Sequence, residues 1–535
     1  MLLFPAVKKI VLHDGFYRGA DNFGISISHL APKNGYTIKI TEQQVAVSSY
    51  DEAAAFYAQA TLNQIRQQSP DTGTLPCLEI EDWPDLKTRG YMLDISRCKV
   101  PSMQSLLELV DLLASLKYNQ LQLYTEHTFA YQNHRIVWQD ASPLTPDEIR
   151  EIDAYCAARH IELVPNQNSF GHMERWLRHS QYQHLAESPN GFEHPIAGWK
   201  EFGSTLKPTL ESAKFVDELF AELLPNFSSQ NFNVGGDEPW ELGQGFSKEL
   251  VNNHGKTRVY LDHLLRIQNN VRKYGKRMQF WGDIIINDPQ LATELGEDTT
   301  ALLWGYELDH PFPEQCMAMK NAGVDFYVVP GTSTWNSIGG RLYTSLPNID
   351  SAAFNAYQHG AVGLLLTDWG DNGHHQSSLL SIPAILQAAS RSWNASNEDL
   401  DLKSASQRIP NPLSVSEYDA IIALSAIAGS FSKYLHNGSW LNKILFAKID
   451  SLENLRGDLD LLELESARES LTGLAVDGEL GLARDLLLFA AEKGISILNR
   501  QHPLPVPKEL ISRFRHYWLL RNRPGGLEEC VAFFT

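Results

Sequence analysis

Between Gly90 and Trp393, eight short apolar segments alternate with helix-patterned ones. No glycine-rich dinucleotide turn interrupts them, and the strand pattern stops after about Pro410. Parallel strands need long crossover connections, and eight of them close a sheet on itself. These observations predict an α/β fold: a (β/α)8 TIM barrel over residues 86–400, a small α+β domain over 1–85 and a helical region over 401–535. An open doubly wound sheet is the alternative, and its fingerprint turn is missing.

Each element has its own signal. Near the N-terminus GYTIKI and QQVAVSS read as adjacent strands. A helix over 53–66 follows, with Ala54, Tyr57, Ala58 and Ile65 on one face. EDWPDLKTRG connects to the barrel, and Pro84 acts as a breaker. Strand one is YMLDI (91–95), and its helix over 104–117 places Leu106, Leu109, Val110 and Leu113 at 3.6 spacing. Strands two, three and four cover 121–124, 162–165 and 231–234, with helices over 146–159, 210–224 and 258–273. Strand five is 278–281. Strand six (301–304), strand seven (325–329) and strand eight (362–367) have helices over 314–321, near 351–358 and over 379–392. Amphipathic helices over 414–434, 440–449, 461–471 and 482–498 complete the chain. They can pack on the barrel or form the face of a homodimer.

Composition narrows the function. Of 535 residues, 45 are Lys or Arg and 64 Asp or Glu, a net charge of −19. Such a surface repels nucleic-acid phosphates and anionic lipid, so neither partner is expected. The five cysteines form no CxxC, which argues against a zinc finger or disulfide framework. The opening MLLFPAVKKIVLHDG lacks a signal-peptide layout, and no run of ~18 apolar residues occurs. The expectation is a cytoplasmic chain without a membrane span. Sequons at Asn226, Asn394 and Asn437 read as chance matches.

Barrel chemistry gathers at the C-terminal ends of the strands. Strand four ends in Gly235-Gly236-Asp237-Glu238. Neighbours in an extended segment point apart, so one carboxyl can donate a proton while the other stays ionised. Glycoside hydrolysis needs that division of labour, although an N-cap would use the same residues. Strand three runs into NQNSFGH, ending at His172, and strand two into Tyr124-Thr125-Glu126-His127. Arg89 enters strand one, Asp94 lies near its end and Arg97 follows. Trp281, Trp304, Tyr306, Trp335 and Trp369 close strands five to eight. Aromatic rings match the apolar faces of sugars, and several at one barrel end exceed what packing requires. Asp371 lies in TDWGDNGHH, whose His pair lacks the spaced partners of a metal site. No metal and no cofactor are expected.

Together RGYMLDISR (89–97), NQLQLYTEHTFAY (119–131), NSFGHMERW (168–176), NVGGDE (233–238), FWGD (280–283) and TDWGD (367–371) resemble the family 20 glycoside hydrolases, the β-N-acetylhexosaminidases. YTEHTF and GTSTWNS suggest a bacterial branch. The resemblance covers roughly residues 1–395. It implies an exo-acting, retaining, substrate-assisted enzyme acting on a glycan with a terminal N-acetylhexosamine, through an oxazolinium intermediate. Glu238 would be the general acid and base, and Asp237 would hold the acetamido nitrogen. Arg89 would bind sugar hydroxyls, and His172 would support the carboxylates. Trp281, Trp304 and Trp369 would wall the pocket, and Tyr306 would bond the acetamido carbonyl. Asp371 would reach the far hydroxyls, and Glu126 would replace one of a pair of aspartates. Two other readings stay open: a retaining glycosidase with a protein nucleophile, for which Glu126 or Asp371 could serve, and a binding barrel without catalysis.

Overall fold

The computed structural model describes every residue except 20–23, 70, 72, 197, 398–399, 449–451, 503–504 and 535. Its N-terminal part is a five-stranded mixed sheet. The strands are β1 (Lys9–Tyr17), β2 (Ile25–Ile27), β3 (Tyr36–Ile40), β4 (Val45–Ser49) and β5 (Leu75–Asp82), in the order β1-β5-β3-β4-β2. GYTIKI and QQVAVSS supply β3 and β4, antiparallel, with Ile38 opposite Val47. Alternation turns Tyr36, Ile38, Ile40, Val45 and Val47 inward. Helix Glu52–Gln67, capped by Asp51, lays Tyr57, Ala58, Leu62 and Ile65 over them. β1 carries no such alternation, because its first six residues are all exposed.

The barrel strands are β6 (Thr88–Asp94), β7 (Gln120–Tyr124) and β8 (Glu162–Val164), then, past a short antiparallel ribbon of β9 (Phe192–His194) and β10 (Gly198–Lys200), β11 (Asn231–Asn233), β12 (Arg277–Trp281), β13 (Thr299–Trp304), β14 (Asp325–Val329) and β15 (Gly363–Asp368). The eight pair in the order β11-β12-β13-β14-β15-β6-β7-β8. A parallel bridge between Asn166 and Asn233 closes the ring, with the Asn233 N–H 3.0 Å from the Pro165 carbonyl. In QLQLY, Leu121 and Leu123 pack outward while the glutamines line the lumen. Gln122 reaches across to donate to Gln279 at 2.8 Å and accepts from Asn233 at 2.9 Å. This polar layer is satisfied within itself, as burial demands.

Helix boundaries follow local chemistry. Thr145 and Glu148 form a capping box at Pro146–Ala157, and Ser102 and Thr209 cap Met103–Ser115 and Leu210–Leu223. The seventh barrel helix begins at Leu342, earlier than expected, and runs to His359 through Pro347. A proline that deep in a helix reads as a stop in sequence.

The last region is helical and packs on the barrel. Val415–Ala428, Trp440–Leu445, Leu461–Gly473, Gly478–Leu498 and Lys508–Arg521 are its longer helices. Arg523 ties it to the second barrel helix through Glu148 at 2.7 Å. The first of these helices stops at Gly429, so residues 430–434, expected to continue it, instead begin a connecting loop that runs to 439. Ile449, expected to end the second, lies outside the described residues. Among the described residues, no helix is long and apolar enough to cross a membrane.

Candidate active site

β11 ends at Asn233, and the chain then turns through two left-handed glycines, Gly235 (φ +71°) and Gly236 (φ +91°), before Asp237 and Glu238. A Cβ at Gly235 would lie 1.9 Å from Asn168 Oδ1, so only glycine fits. Glu238 itself takes φ +46°. The segment is therefore not extended, and the expectation that the carboxylates point apart is corrected. Both reach one imidazole: His172 Nε2 lies 3.1 Å from Asp237 Oδ2 and 3.6 Å from Glu238 Oε2. His172 also has φ +56°, set by the loop after β8. Its Nδ1 faces Glu126 Oε1 at 3.9 Å.

The electrostatics separate these groups. Burial opposes charging of His172, but Asp237 and Glu238 outweigh it and lift the imidazole to about 9. Burial raises Glu238 above the usual carboxylate range, helped by Asp237 and Asp371 and opposed by His172. Its side chain keeps 31% exposure, so it can reach a ligand. Beneath the pair lies Asp283, whose Oδ2 accepts the Glu238 backbone N–H at 3.1 Å. Burial, then the charge of Asp237, pushes Asp283 up to about 8. Oδ1 of Asp237 is buried and has no hydrogen-bond partner among the described residues.

The opposite wall is aromatic. Tyr306 accepts a hydrogen bond from Trp369 Nε1 at 2.8 Å, stacks on Trp304 at 5.4 Å and meets the Trp335 edge at 5.0 Å. Trp369 packs in turn on Trp281 and Tyr124. Arg97 closes the floor, its guanidinium 4.5 Å from the Tyr124 ring and 5.1 Å from that of Trp369. It pairs with Asp94 at 3.2 Å and Glu126 at 3.3 Å. Glu126 is raised by its burial, against the pull of Arg97 and His172. Half-buried Asp371 follows Trp369 and interacts with Arg97.

Arg89 is elsewhere, which corrects the expectation for it. It stands at the N-terminal end of β6, 2% exposed, donating to the carbonyls of Leu86, Lys87 and Lys117 and to the Tyr57 hydroxyl. It seals the joint between sheet and barrel, at the far end from the carboxylates. Arg97, at the other end of the same motif, faces the site. Strand direction alone would have separated the two arginines. Asp283, two residues past β12, was likewise quoted in FWGD but not singled out. Of the His pair, His375 points away: its Nε2 reaches the Cys530 carbonyl at 2.9 Å.

A family model described as "Glycosyl hydrolase family 20, catalytic domain" matches residues 87–337, and one described as "Glycosyl hydrolase family 20, domain 2" matches 8–83. The chain belongs to glycosyl hydrolase family 20. Among proteins similar to this family 20 chain are a beta-hexosaminidase of Porphyromonas gingivalis, 22% identical over 62% of this chain and 44% of its own length, and one of Akkermansia muciniphila, 30% identical over 39% of this chain and 46% of its own. The chain thus spans about half the length of these relatives. In fold it is similar to the exo beta-N-acetylglucosaminidase of Vibrio harveyi in complex with N-acetylglucosamine (TM-score 0.61, 16% identity, 79% of this chain and 77% of that one). The Flavobacterium johnsoniae chitobiase shares the fold over 99% of both chains (TM-score 0.61, 15% identity), so the likeness extends through the helical region.

Proposed function

We propose that this family 20 hydrolase is an exo-acting, retaining β-N-acetylhexosaminidase. It would remove terminal β-linked N-acetylglucosamine or N-acetylgalactosamine by substrate-assisted catalysis. The observation that carries the reading is the Asp237–His172–Glu238 cluster, with one buried Asp237 oxygen that lacks a partner among the described residues. An acetamido N–H is the donor that such an oxygen accepts. Family membership and the N-acetylglucosamine in the Vibrio harveyi structure support the same substrate class.

In the first step Glu238 gives its proton to the glycosidic oxygen, and the C1–O bond breaks. The acetamido carbonyl oxygen attacks C1 from the opposite face and forms an oxazolinium ion. Positive charge grows on the acetamido nitrogen, where the fixed Asp237 carboxylate stabilises it. Water then attacks C1, gives its proton to Glu238 and reopens the ring, so two inversions retain the configuration. A carboxyl raised by burial suits the acid role. His172, held charged by the same carboxylates, keeps them oriented. Arg97 and Asp371 replace Arg89 as the candidates for the sugar hydroxyls. Trp281, Trp304, Trp335 and Trp369 form the wall, and Tyr306 is the candidate for the acetamido carbonyl.

Hydrolysis of aryl β-glycosides of N-acetylglucosamine, N-acetylgalactosamine and glucose, with Glu238→Gln as control, tests the reading. Turnover confined to the N-acetyl sugars and lost in the variant is expected. Equal turnover of the glucoside would point to a protein nucleophile, and no turnover at all to a binding barrel.

A further inference from the structure

Residues 430–439, the loop between helices Val415–Ala428 and Trp440–Leu445, cross to the mouth of the barrel. The contact is made by Asn437, a hundred residues past the matched catalytic region. Its Oδ1 accepts the Trp335 Nε1 hydrogen bond at 2.6 Å. The backbone carbonyl accepts from Asn336 Nδ2 at 3.0 Å, and the backbone N–H donates to Glu307 at 2.8 Å. Buried Arg341 fills the corner, 5.4 Å from the Trp335 ring, 3.5 Å from Glu307 and 3.4 Å from Asn437 Oδ1. Tyr434, from the same loop, also donates to Glu307.

The residues it joins belong to different barrel loops. Glu307 follows β13, and Trp335 and Asn336 follow β14. Asn336 accepts from Asn372 at 2.9 Å, the neighbour of Asp371 in the loop after β15. From Trp335 the contacts continue to Tyr306 at 5.0 Å and from Tyr306 to Trp369 at 2.8 Å. Asn437 has φ +51°, a conformation that Asn tolerates better than most side chains. Trp335 is buried, and Asn437 is the partner of its indole N–H.

We propose that Asn437 is a positioning residue for the aromatic wall of the sugar site. The helical region thereby becomes part of substrate binding. This rests on the hexosaminidase reading for its kinetic consequence, but not for its geometry. A site held by packing and second contacts loosens when one support is removed, and ground-state binding suffers first.

Two variants of the full chain separate positioning from folding. Asn437→Gly accepts the left-handed backbone and removes the acceptor, whereas Asn437→Asp keeps an acceptor at the same place. For an aryl β-N-acetylhexosaminide, losing one hydrogen bond of ordinary strength should raise KM by about tenfold in the Gly variant, with kcat changed far less. The Asp variant should recover most of that loss, and thermal midpoints should stay together. The ¹⁵N–¹H signal of the Trp335 indole, assigned with Trp335→Phe, should shift and exchange faster in the Gly variant only. Unchanged KM in the Gly variant, or equal losses in both variants, would overturn the proposal. Should the wild type turn over no N-acetylhexosaminide, the functional reading fails, and the indole signal alone decides the brace: an unmoved resonance would overturn it.

Discussion

The backbone N–H of Glu238 donates to Oδ2 of Asp283 at 3.1 Å, so the proposed general acid rests on a buried carboxyl pushed up to about 8. Glu238 can hold its left-handed conformation because this acceptor, one strand away, fixes its amide. The relationship joins the loops after β11 and β12, which are neighbours in the barrel.

That carboxyl makes stability depend on pH in a stated direction. Asp283 binds its proton more tightly folded than unfolded, where aspartate titrates near ~3.9. Its contribution is full below about pH 4 and is lost as pH rises through about 8. His172, ordinarily near ~6.5 and lifted to about 9, adds stability below about pH 6.5 that is lost as pH passes about 9. Buried His263 and His375, lowered to about 3 and about 4, act in the opposite sense below about pH 6.5, so the comparison between variants is the readout. As pH rises from about 5 to about 8, the thermal midpoint of the wild type should fall relative to that of Asp283→Asn, and a constant difference would count against the raised Asp283.

Glu238→Gln should lower kcat/KM for aryl N-acetylhexosaminides by ~10²–10⁴ while the fold persists. The variant keeps shape and hydrogen-bonding capacity but has no proton to give at neutral pH. Steady-state kinetics beside a thermal melt reads both, and full activity would remove Glu238 from the acid role.

Asp237→Asn should reduce kcat by about a hundredfold or more, since a fixed charge beside a forming cation is worth several kcal/mol. KM should change less. Rapid-quench mass spectrometry of the wild type should find no sugar bonded to the protein. A trapped glycosyl-enzyme would instead favour a protein nucleophile.

The two arginines of RGYMLDISR should respond differently. Arg97→Ala should raise KM strongly, because its guanidinium stands among Tyr124, Trp369, Asp94 and Glu126 at the site. Arg89→Met should leave KM near wild type but destabilise the fold by about 3 kcal/mol or more, since buried carbonyls lose their donor. Kinetics and denaturant titration of both variants distinguish site from joint.

Local pattern reached far in this protein because barrel strands are short, apolar and bounded by polar turns. β7 is visible as a short apolar run in a few consecutive letters. So are the glycines of GGDE and the aromatics that end β12, β13 and β15. β1 escaped because its exposed residues leave no alternation, and the start of Leu342–His359 was hidden by Pro347. Which arginine faces the site depended on which end of β6 the loops build upon. That Asp237 and Glu238 meet at His172 depended on three positive φ angles, at Gly235, Gly236 and Glu238. The bond from Asn437 to Trp335 spans a hundred residues of chain, and only folding brings them together. Periodicity and capping are short-range and leave a mark in sequence, whereas convergence of loops from separate strands is set by barrel closure and has no local signature.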